Sequence, residues 1–385
     1  MNLRTYKSAS ERRSALEETL QVNLPHIGNF TLSQDTASSR NCENMIGAIQ
    51  IPVGIAGPLK INGQVTKGEF YLPLATTEGA LVASVNRGAK AISQSGGANT
   101  IFNKVGITRA PVFRVEDLKK GQELITWVKT NFKTLQQITE STSSHLTLLE
   151  IKPVSAGRSV YLRFRFDTQD AMGMNMATIA VAAAVKHIEE ATKTKCIALS
   201  GNMCSDKKSN FLNFIEGRGI STQAEAIISK QILSDVLKTN ASELFEVYSR
   251  KIVQGSMLSG TIGANAQAAN ILTALFLSTG QDVAHIAEAS SVITSLETLE
   301  NGNIYISVSL PDLPVGTVGG GAMLETQKEA LSVLNINGGN SGKNAEKLAE
   351  IIAGAVLAGE LSLLSSLAEN SLACAHKTLG RGEKI

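Results

Sequence analysis

Residues 159–166 read Ser-Val-Tyr-Leu-Arg-Phe-Arg-Phe, a regular alternation of apolar and polar side chains. A period of two places one set on a single face of a strand, and a soluble chain must cover that face with something else. The neighbours supply the cover. HLTLLEI (145–151) reads as a strand before it, residues 170–192 as a helix after it, and KCIALS (195–200) as a further strand. Strands followed by a helix and another strand predict a small α/β or split-βαβ unit, placed at 111–199.

The rest of the chain has a different character. Residues 1–46 read as an N-terminal helical region: a helix carrying Leu16, Leu20 and Val22, then a polar Ser/Thr/Asn-rich connection to Asn41. ENMIGAIQIPVGIAGPLKING (43–63) is Gly- and Pro-rich between short apolar pieces and predicts strands with tight turns. A helix follows, with Thr76 or Thr77 near its cap, Leu81, Val85, Ala89 and Ile92 on one face, and Gly96 and Gly97 at its end. Beyond residue 200 the pattern is mostly helical, at 222–237, 268–278 and 344–378, with NIYISVSLP (303–311) as the one firm strand. At roughly 150 residues per domain, 385 residues suit two or three compact units.

Charge and cysteine usage exclude several classes. With 36 Lys and Arg against 34 Asp and Glu, interspersed, the chain offers no basic stripe for nucleic acid and no polybasic segment for anionic lipid. Cys42, Cys196, Cys204 and Cys374 form no CxxC pair and have no His at ligand spacing, so neither a metal site nor a disulfide framework is expected, and a reducing cytoplasm fits. The most apolar uncharged stretch, 176–185, is short of the ~20 residues that span a bilayer, and the N-terminus is charged throughout. Neither anchor nor signal peptide is expected.

Four places could carry chemistry. Glu78 lies behind two threonines in the expected first turn of a helix, where a carboxylate also suits the macrodipole. Ser200, Asp206, Lys207 and Lys208 cluster between a strand and a helix, where ammonium groups and backbone N–H can converge on an anion, although a solvated loop has the same composition. Asp282 lies just past Gly280 at the end of an apolar helix, a common turn position, and His376 lies in a last helical turn. There is no GxGxxG after a strand and no GxxxxGK[ST]. A nucleotide would need DAMGMNM (170–176) or GTVGGG (316–321), whose glycines permit close backbone approach.

Taken together, ENMIGAIQIPVGIAGPL, ATTEGALVASVNRGAKAI, DAMGMNM, SGNMCSDKK, NAQAANILTALFLSTGQD, GTVGGG and AGELSLLSSLA occur in the order and near the spacing of the 3-hydroxy-3-methylglutaryl-coenzyme A (HMG-CoA) reductase family, which the chain resembles from about Glu43 to Arg381. The resemblance implies an α/β (α+β) fold: a large helix-rich domain around a long central helix, with a small α/β domain inserted in it. It assigns 47–110 with 200–377 to acyl-CoA, 111–199 to the nicotinamide cofactor and 378–385 to a C-terminal tail. It implies a homodimer, or a dimer of such dimers, with active sites at the subunit interface.

By the same resemblance Glu78, Lys207, Asp282 and His376 form the catalytic set. Arg109, Ser200, Asp206, Lys208 and Lys251 hold the hydroxymethylglutaryl portion, and Asn270 supports the lysine. Asp170, Met172, Gly173, Met174 and Asn175, with Gly319, Gly320 and Gly321, meet the cofactor. Ser143 and Ser144, followed by His145, stand where a Ser-Arg pair meets the 2′-phosphate in the animal enzyme; no Asp or Glu is there to repel a phosphate, so NADPH is expected rather than NADH.

Reducing a thioester to an alcohol takes two hydrides, so a carbonyl oxygen twice becomes an oxyanion, which Lys207 can stabilise with Asp282 orienting the ammonium. Expulsion of thiolate from mevaldyl-CoA needs a proton, and an imidazole, ordinarily titrating near ~6.5, suits that task at His376. Glu78 serves the mevaldehyde oxygen, coupled to Lys207 and Asp282. Arg109, Lys208 and Lys251 are anion partners for the substrate carboxylate. Gly382 stands where the animal and plant enzymes carry a phosphorylatable Ser, so that regulation is not expected, and neither is a counterpart of their membrane-spanning region. HMG-CoA, mevalonate and CoA are the expected small molecules. The competing readings are NAD-dependent mevalonate oxidation in reverse and a non-catalytic acyl-CoA binder.

Overall fold

The computed structural model describes residues 2–369. Ten strands are present among them: β1 (Val53–Gly63), β2 (Lys67–Ala75), β3 (Ala98–Arg109), β4 (Val112–Arg114), β5 (Thr147–Ala156), β6 (Ser159–Asp167), β7 (Lys195–Ala198), β8 (Arg218–Ile228), β9 (Ile293–Thr298) and β10 (Ile304–Leu313). One sheet runs β2-β1-β3-β8-β10-β9, with only the β1–β3 pair parallel. In the second, β6 has β5 on one edge and β4 followed by the end of β3 on the other, and β7 extends it beyond β4. The result is an α+β fold with an open sheet.

Strand β3 belongs to both sheets. Asn99–Gly106 pairs with β8 and Ile107–Arg109 with β6, and the ladder shifts at Gly106, whose φ of 100° only glycine adopts freely. Two apolar cores lie on either side of this crossing. The fully buried members of the smaller one fall between Ile107 and Ile188: Val160, Leu162, Phe164 and Phe166 of the alternating strand, covered by Ala177, Ala180, Val181 and Ala184 of the helix Met174–Thr192. The alternation in the sequence is thus realised side chain by side chain.

The larger core is organised by the helix Lys343–Ala368. By length and composition it could cross a membrane, but 78% of its apolar window is buried inside the protein. It is apolar all round because it packs all round. Small residues allow this: a Cβ at Gly88 of the helix Leu81–Gln94 would overlap the Ala358 carbonyl, so the two helices pack backbone against backbone. Two buried carboxylates on the central helix are matched to donors: Glu350 accepts the Gln64 and Val65 N–H, and Glu360 accepts those of Ala266 and Gln267 and the Thr294 hydroxyl.

Four expectations are corrected. Residues 222–237 are not one helix: Ile220, Thr222, Ala224, Ala226 and Ile228 alternate inward along β8, and a short helix follows at Lys230–Asp235. Ala and Glu favour helix in isolation, and tertiary pairing overrides them. Strand β9 was likewise not foreseen. The polar connection near Asn41 contains a helix, Gln34–Arg40, because Ser33 accepts the Thr36 N–H as its cap. Glu78 does not lie in a first helical turn; it sits in the bend before the helix Leu81–Gln94, whose N-cap is Ala80 in the left-handed region at φ 74°.

Candidate active site

The loop after β7 departs from ordinary backbone geometry at three non-glycine residues. Asn202, Ser205 and Lys207 all have positive φ, at 64°, 56° and 59°, a conformation costing roughly 1–3 kcal/mol each when the surroundings enforce it. The enforcement is visible. Arg163 of β6, 2% exposed, donates from Nε to the Met203 carbonyl at 3.1 Å and from its terminal nitrogens to Asn213 and Glu216. The Thr108 hydroxyl donates to the Cys204 carbonyl, and the Lys207 N–H donates to Glu288 at 3.3 Å.

This loop delivers Lys207 to Asp282. Nζ and Oδ2 are 2.6 Å apart, with side chains 41% and 37% exposed. Asp282 is set by its own local structure: Gly280, at φ 71°, ends the helix Ala268–Thr279, and Asp282 caps the next turn by accepting the Ala284 N–H at 3.0 Å. Burial works against the charged carboxyl, yet the Lys207 hydrogen bond, the Ala284 N–H and the His285 ring together hold it below the usual carboxylate range. The ion pair is therefore oriented and open to a ligand.

Asp206, one residue earlier, faces Arg109 at 3.9 Å and Arg218 at 3.1 Å. Arg109 is nearly buried and its Nε has no partner, so it retains capacity for an anion. Lys208 is exposed and its ammonium donates to the Asp206 carbonyl, while Ser200 is exposed beside Cys204 at 3.3 Å. Lys251 is exposed on a π-helical segment, Tyr248–Gly255, a geometry that frequently marks functional sites. Asn270 donates to Glu78 at 3.3 Å, and among the described residues no hydrogen bond joins it to Lys207. Among the described residues no hydrogen bond or ion pair joins Glu78 to Lys207 or Asp282. His376 lies outside the described residues.

The segments expected to meet a cofactor converge. Thr317 N–H donates to the Asp170 carbonyl at 2.8 Å, and Ala171 bridges to Val318, so DAMGMNM and GTVGGG lie side by side. Gly173 caps the helix Met174–Thr192 at φ 90° with no side-chain cap, leaving the first-turn N–H groups to an anion. Gly319 and Gly320 have positive φ, and a Cβ at either would meet nothing within 4 Å: an open glycine shelf. Ser143 reaches Met176 at 3.5 Å, and His145 meets Gln169 at 3.1 Å, which brings the 143–145 turn to the same helix start. Met174 is buried against Arg218, Met172 packs on the small core, and Asn175 is exposed.

Asp170 behaves differently from its neighbours. Its buried carboxylate accepts four backbone N–H groups, from Asn340, Gly342 at 2.7 Å, and Asn344 and Ala345 at 2.9 Å each. It caps the central helix from across the fold, and its oxygens are already engaged. The glycine shelf also abuts the segment that carries Asp282, since a Cβ at Gly280 would overlap Gly321, and the Gln281 amide bonds both N–H and carbonyl of Gly316 at 2.9 Å.

The hydroxymethylglutaryl-coenzyme A reductase profile matches residues 8–381. An HMG-CoA reductase of Pyrococcus abyssi is 50% identical over 374 residues, covering 96% of this chain and 92% of that protein. The chain belongs to the hydroxymethylglutaryl-coenzyme A reductase family. It is therefore an oxidoreductase of that family, similar also to the HMG-CoA reductase of Haloferax volcanii, 47% identical over 97% of this chain and 93% of that one. A solved class II HMG-CoA reductase of Streptococcus pneumoniae, described as bound to NADPH in open conformations, shares the fold at a TM-score of 0.69 and 18% identity, over 94% of this chain and 87% of that one.

Membership in the reductase family leaves one group of residues unexplained. Arg218, fully buried, donates to Thr108, Glu288, Asp206 and the Met174 sulfur. Glu288 also meets Asn213 at 3.1 Å and the His285 ring, and Asn213 bonds Asp312 at 2.7 Å. Burial, then the neighbouring Glu288 charge, pushes the Asp312 carboxyl well above its ordinary range, with Arg218 and Asn213 opposing. Asp206, His285 and Glu288 have the ligand types of a metal site. The guanidinium of Arg218 already bonds both carboxylates and fills the cation's role. Arg218 stood inside the IEGRG stretch that follows the lysine loop, but nothing in its spacing marked it as a hub.

Proposed function

We propose that this protein reduces HMG-CoA to mevalonate and CoA with two NADPH, through mevaldyl-CoA and mevaldehyde. The observation that carries the reading is the Lys207–Asp282 pair on a strained loop, set directly against the glycine shelf through Gly280 and Gly321. Bound NADPH supplies the hydride. Lys207 stabilises the oxyanion that forms at each reduction, and Asp282 keeps its ammonium aimed there. Arg109, with its unpartnered Nε, and the exposed Lys208 and Lys251 bind the substrate carboxylate, with Ser200 and Asp206 as polar partners. Glu78, held by Asn270, donates to the aldehyde oxygen, and His376 protonates the departing thiolate.

The residue range 111–199 takes the cofactor, at the uncapped helix start near Gly173, the shelf Gly319–Gly321 and the Ser143–Ser144 turn, with Asp170 acting indirectly as the clamp behind them. The rest, 47–110 and 200–377, takes the acyl-CoA. Preference for NADPH over NADH is supported by hydroxyls and an imidazole at 143–145, and by the NADPH named for the Streptococcus structure. A homodimer with shared active sites is supported by the separation of the Glu78–Asn270 pair from the Lys207–Asp282 pair within one chain, and by the exposed Val53, Ile55 and Tyr71 on β1 and β2. Free thiols at Cys42, Cys196 and Cys204 suit a cytoplasmic setting.

The test is HMG-CoA-dependent NADPH oxidation by the purified protein, with mevalonate quantified. Two NADPH consumed per mevalonate supports the reading, and no acyl-CoA-dependent oxidation rejects it. Running the same assay with NADH, and with mevalonate plus NAD in reverse, separates the biosynthetic from the oxidative direction.

A further inference from the structure

Behind Asp282 lies a histidine that the reaction as described does not use. His285 is fully buried, and charged groups face it from every element packed against it. On its own turn, Nδ1 bonds Glu288 and Nε2 points at Asp282 Oδ2, 3.9 Å away. From the lysine loop, Asp206 Oδ1 lies 3.7 Å from Nδ1. From β8, Arg218 bonds both Glu288 and Asp206; from β10, Asp312 reaches Glu288 through Asn213; and Lys207 stands on the far side of Asp282. Nε2 is a buried ring nitrogen with no hydrogen-bond partner. Such an atom is uncommon, because an unmade hydrogen bond in a protein interior leaves the full desolvation penalty standing.

The asymmetry of exposure says which partner moves. The ring is packed and tied to Glu288, whereas Asp282 is 37% exposed and held chiefly by Lys207 and one backbone N–H. A displacement of about 1 Å brings its carboxylate within hydrogen-bond range of Nε2. Carboxylates only accept, so a ring that serves both Glu288 and Asp282 carries a proton on each nitrogen.

We propose that His285 is a positioning residue for the reduction: its Nε2–H bonds the Asp282 carboxylate when substrate loads, fixing that carboxylate against Lys207, while Glu288 fixes the ring. Lys207, Asp282, His285 and Glu288 then form one line from the reacting oxygen into the interior, anchored by Arg218. This rests on the reading of the protein as an HMG-CoA reductase with Lys207 at the oxyanion.

The experiment uses the full chain with HMG-CoA and NADPH, comparing wild type, His285→Phe and His285→Gln. Phenylalanine keeps the ring and removes both nitrogens; glutamine restores an N–H donor without an aromatic ring. His285→Phe is expected to lower kcat about 10- to 100-fold, as for a misplacement of about 1 Å, with KM for both substrates moved less than about threefold, and His285→Gln to recover most of the loss. An undiminished kcat in His285→Phe, or an equal loss in both variants with KM raised, overturns the proposal. Should the Phe variant fail to fold, nitrogen-15 spectra of the wild-type ring with substrate bound decide: a proton on Nε2 is expected, and a bare Nε2 refutes the assignment. Wild-type protein without HMG-CoA-dependent turnover would instead reject the functional reading itself.

Discussion

Gly280 and Gly321 meet backbone to backbone, so closely that neither can carry a side chain without overlap. One ends the helix that presents Asp282; the other belongs to the shelf beside the cofactor-type helix start. The contact joins the segment that carries the Lys207–Asp282 pair to the glycine shelf, and it does so through main chain, which cannot rotate away as a side chain can.

Gly280→Ala should therefore be costly twice, through overlap and through its φ of 71°. We expect a loss of about 1–3 kcal/mol in urea unfolding together with a fall in kcat. Gly121→Ala is the control: it lies in the helix Leu118–Thr130 with its nearest neighbour, Val160, at an ordinary 3.4 Å, so it should be neutral or stabilising by up to about 1 kcal/mol. Equal stability of the two variants would contradict the contact.

Lys207→Ala should lower kcat by about 10²–10³-fold while binding of NADPH, followed by fluorescence titration, stays near wild type. A protein whose role is only to bind acyl-CoA would show no such split between binding and turnover.

Asp170→Asn replaces two acceptor oxygens by one where four N–H groups converge. Unmade bonds at buried donors predict a loss of about 2–4 kcal/mol. Hydrogen exchange gives the specific signature: the amides of Gly342, Asn344 and Ala345 should lose protection before the middle of the central helix does. Uniform exchange across the helix would argue against the clamp.

Asp312 makes stability depend on pH in a definite direction. Its folded carboxyl holds a proton more tightly than the unfolded chain does, so between the unfolded value near ~3.9 and the raised folded value the native state binds more protons, and stability falls as pH rises. Asp312→Asn removes that titration. The difference in unfolding free energy between variant and wild type should grow in the variant's favour as pH climbs from about 4. A pH-independent difference would show that Asp312 is not the group responsible.

Sequence reasoning reached the site unevenly, for physical reasons. Val160, Leu162, Phe164 and Phe166 announced their face because a period of two has a single reading, and DAMGMNM and GTVGGG could be singled out because glycine and a helix start are local features. Strand β8 was hidden because Ala224, Glu225 and Ala226 favour helix, and only pairing with β3 and β10 reveals the alternation. Asp170 was assigned to the cofactor by the family resemblance; that its carboxylate accepts the Asn340–Ala345 backbone, some 170 positions away, is not legible from spacing. Arg218, His285 and Glu288 were invisible for the same reason, as each reads alone as an ordinary charged residue. Glu78, Lys207 and Asp282 stood out separately by their local positions, their grouping into one set came from the family resemblance, and the geometry adds that Lys207 and Asp282 form a pair.

The shared strand β3 has a bearing on engineering. Because its Asn99–Gly106 stretch zips to β8 and its last three residues to β6, the two sheets have no clean seam between them. A chimera exchanging lobes between relatives would have to splice inside a continuous hydrogen-bonded ladder, most safely at Gly106, where the register already slips. A graft beginning at residue 111 would pair its β6 with a foreign Ile107–Arg109 stretch and would inherit Arg109 from the recipient. If the proposed role of the 143–145 turn holds, cofactor preference is better altered by point changes there than by exchanging the whole 111–199 range.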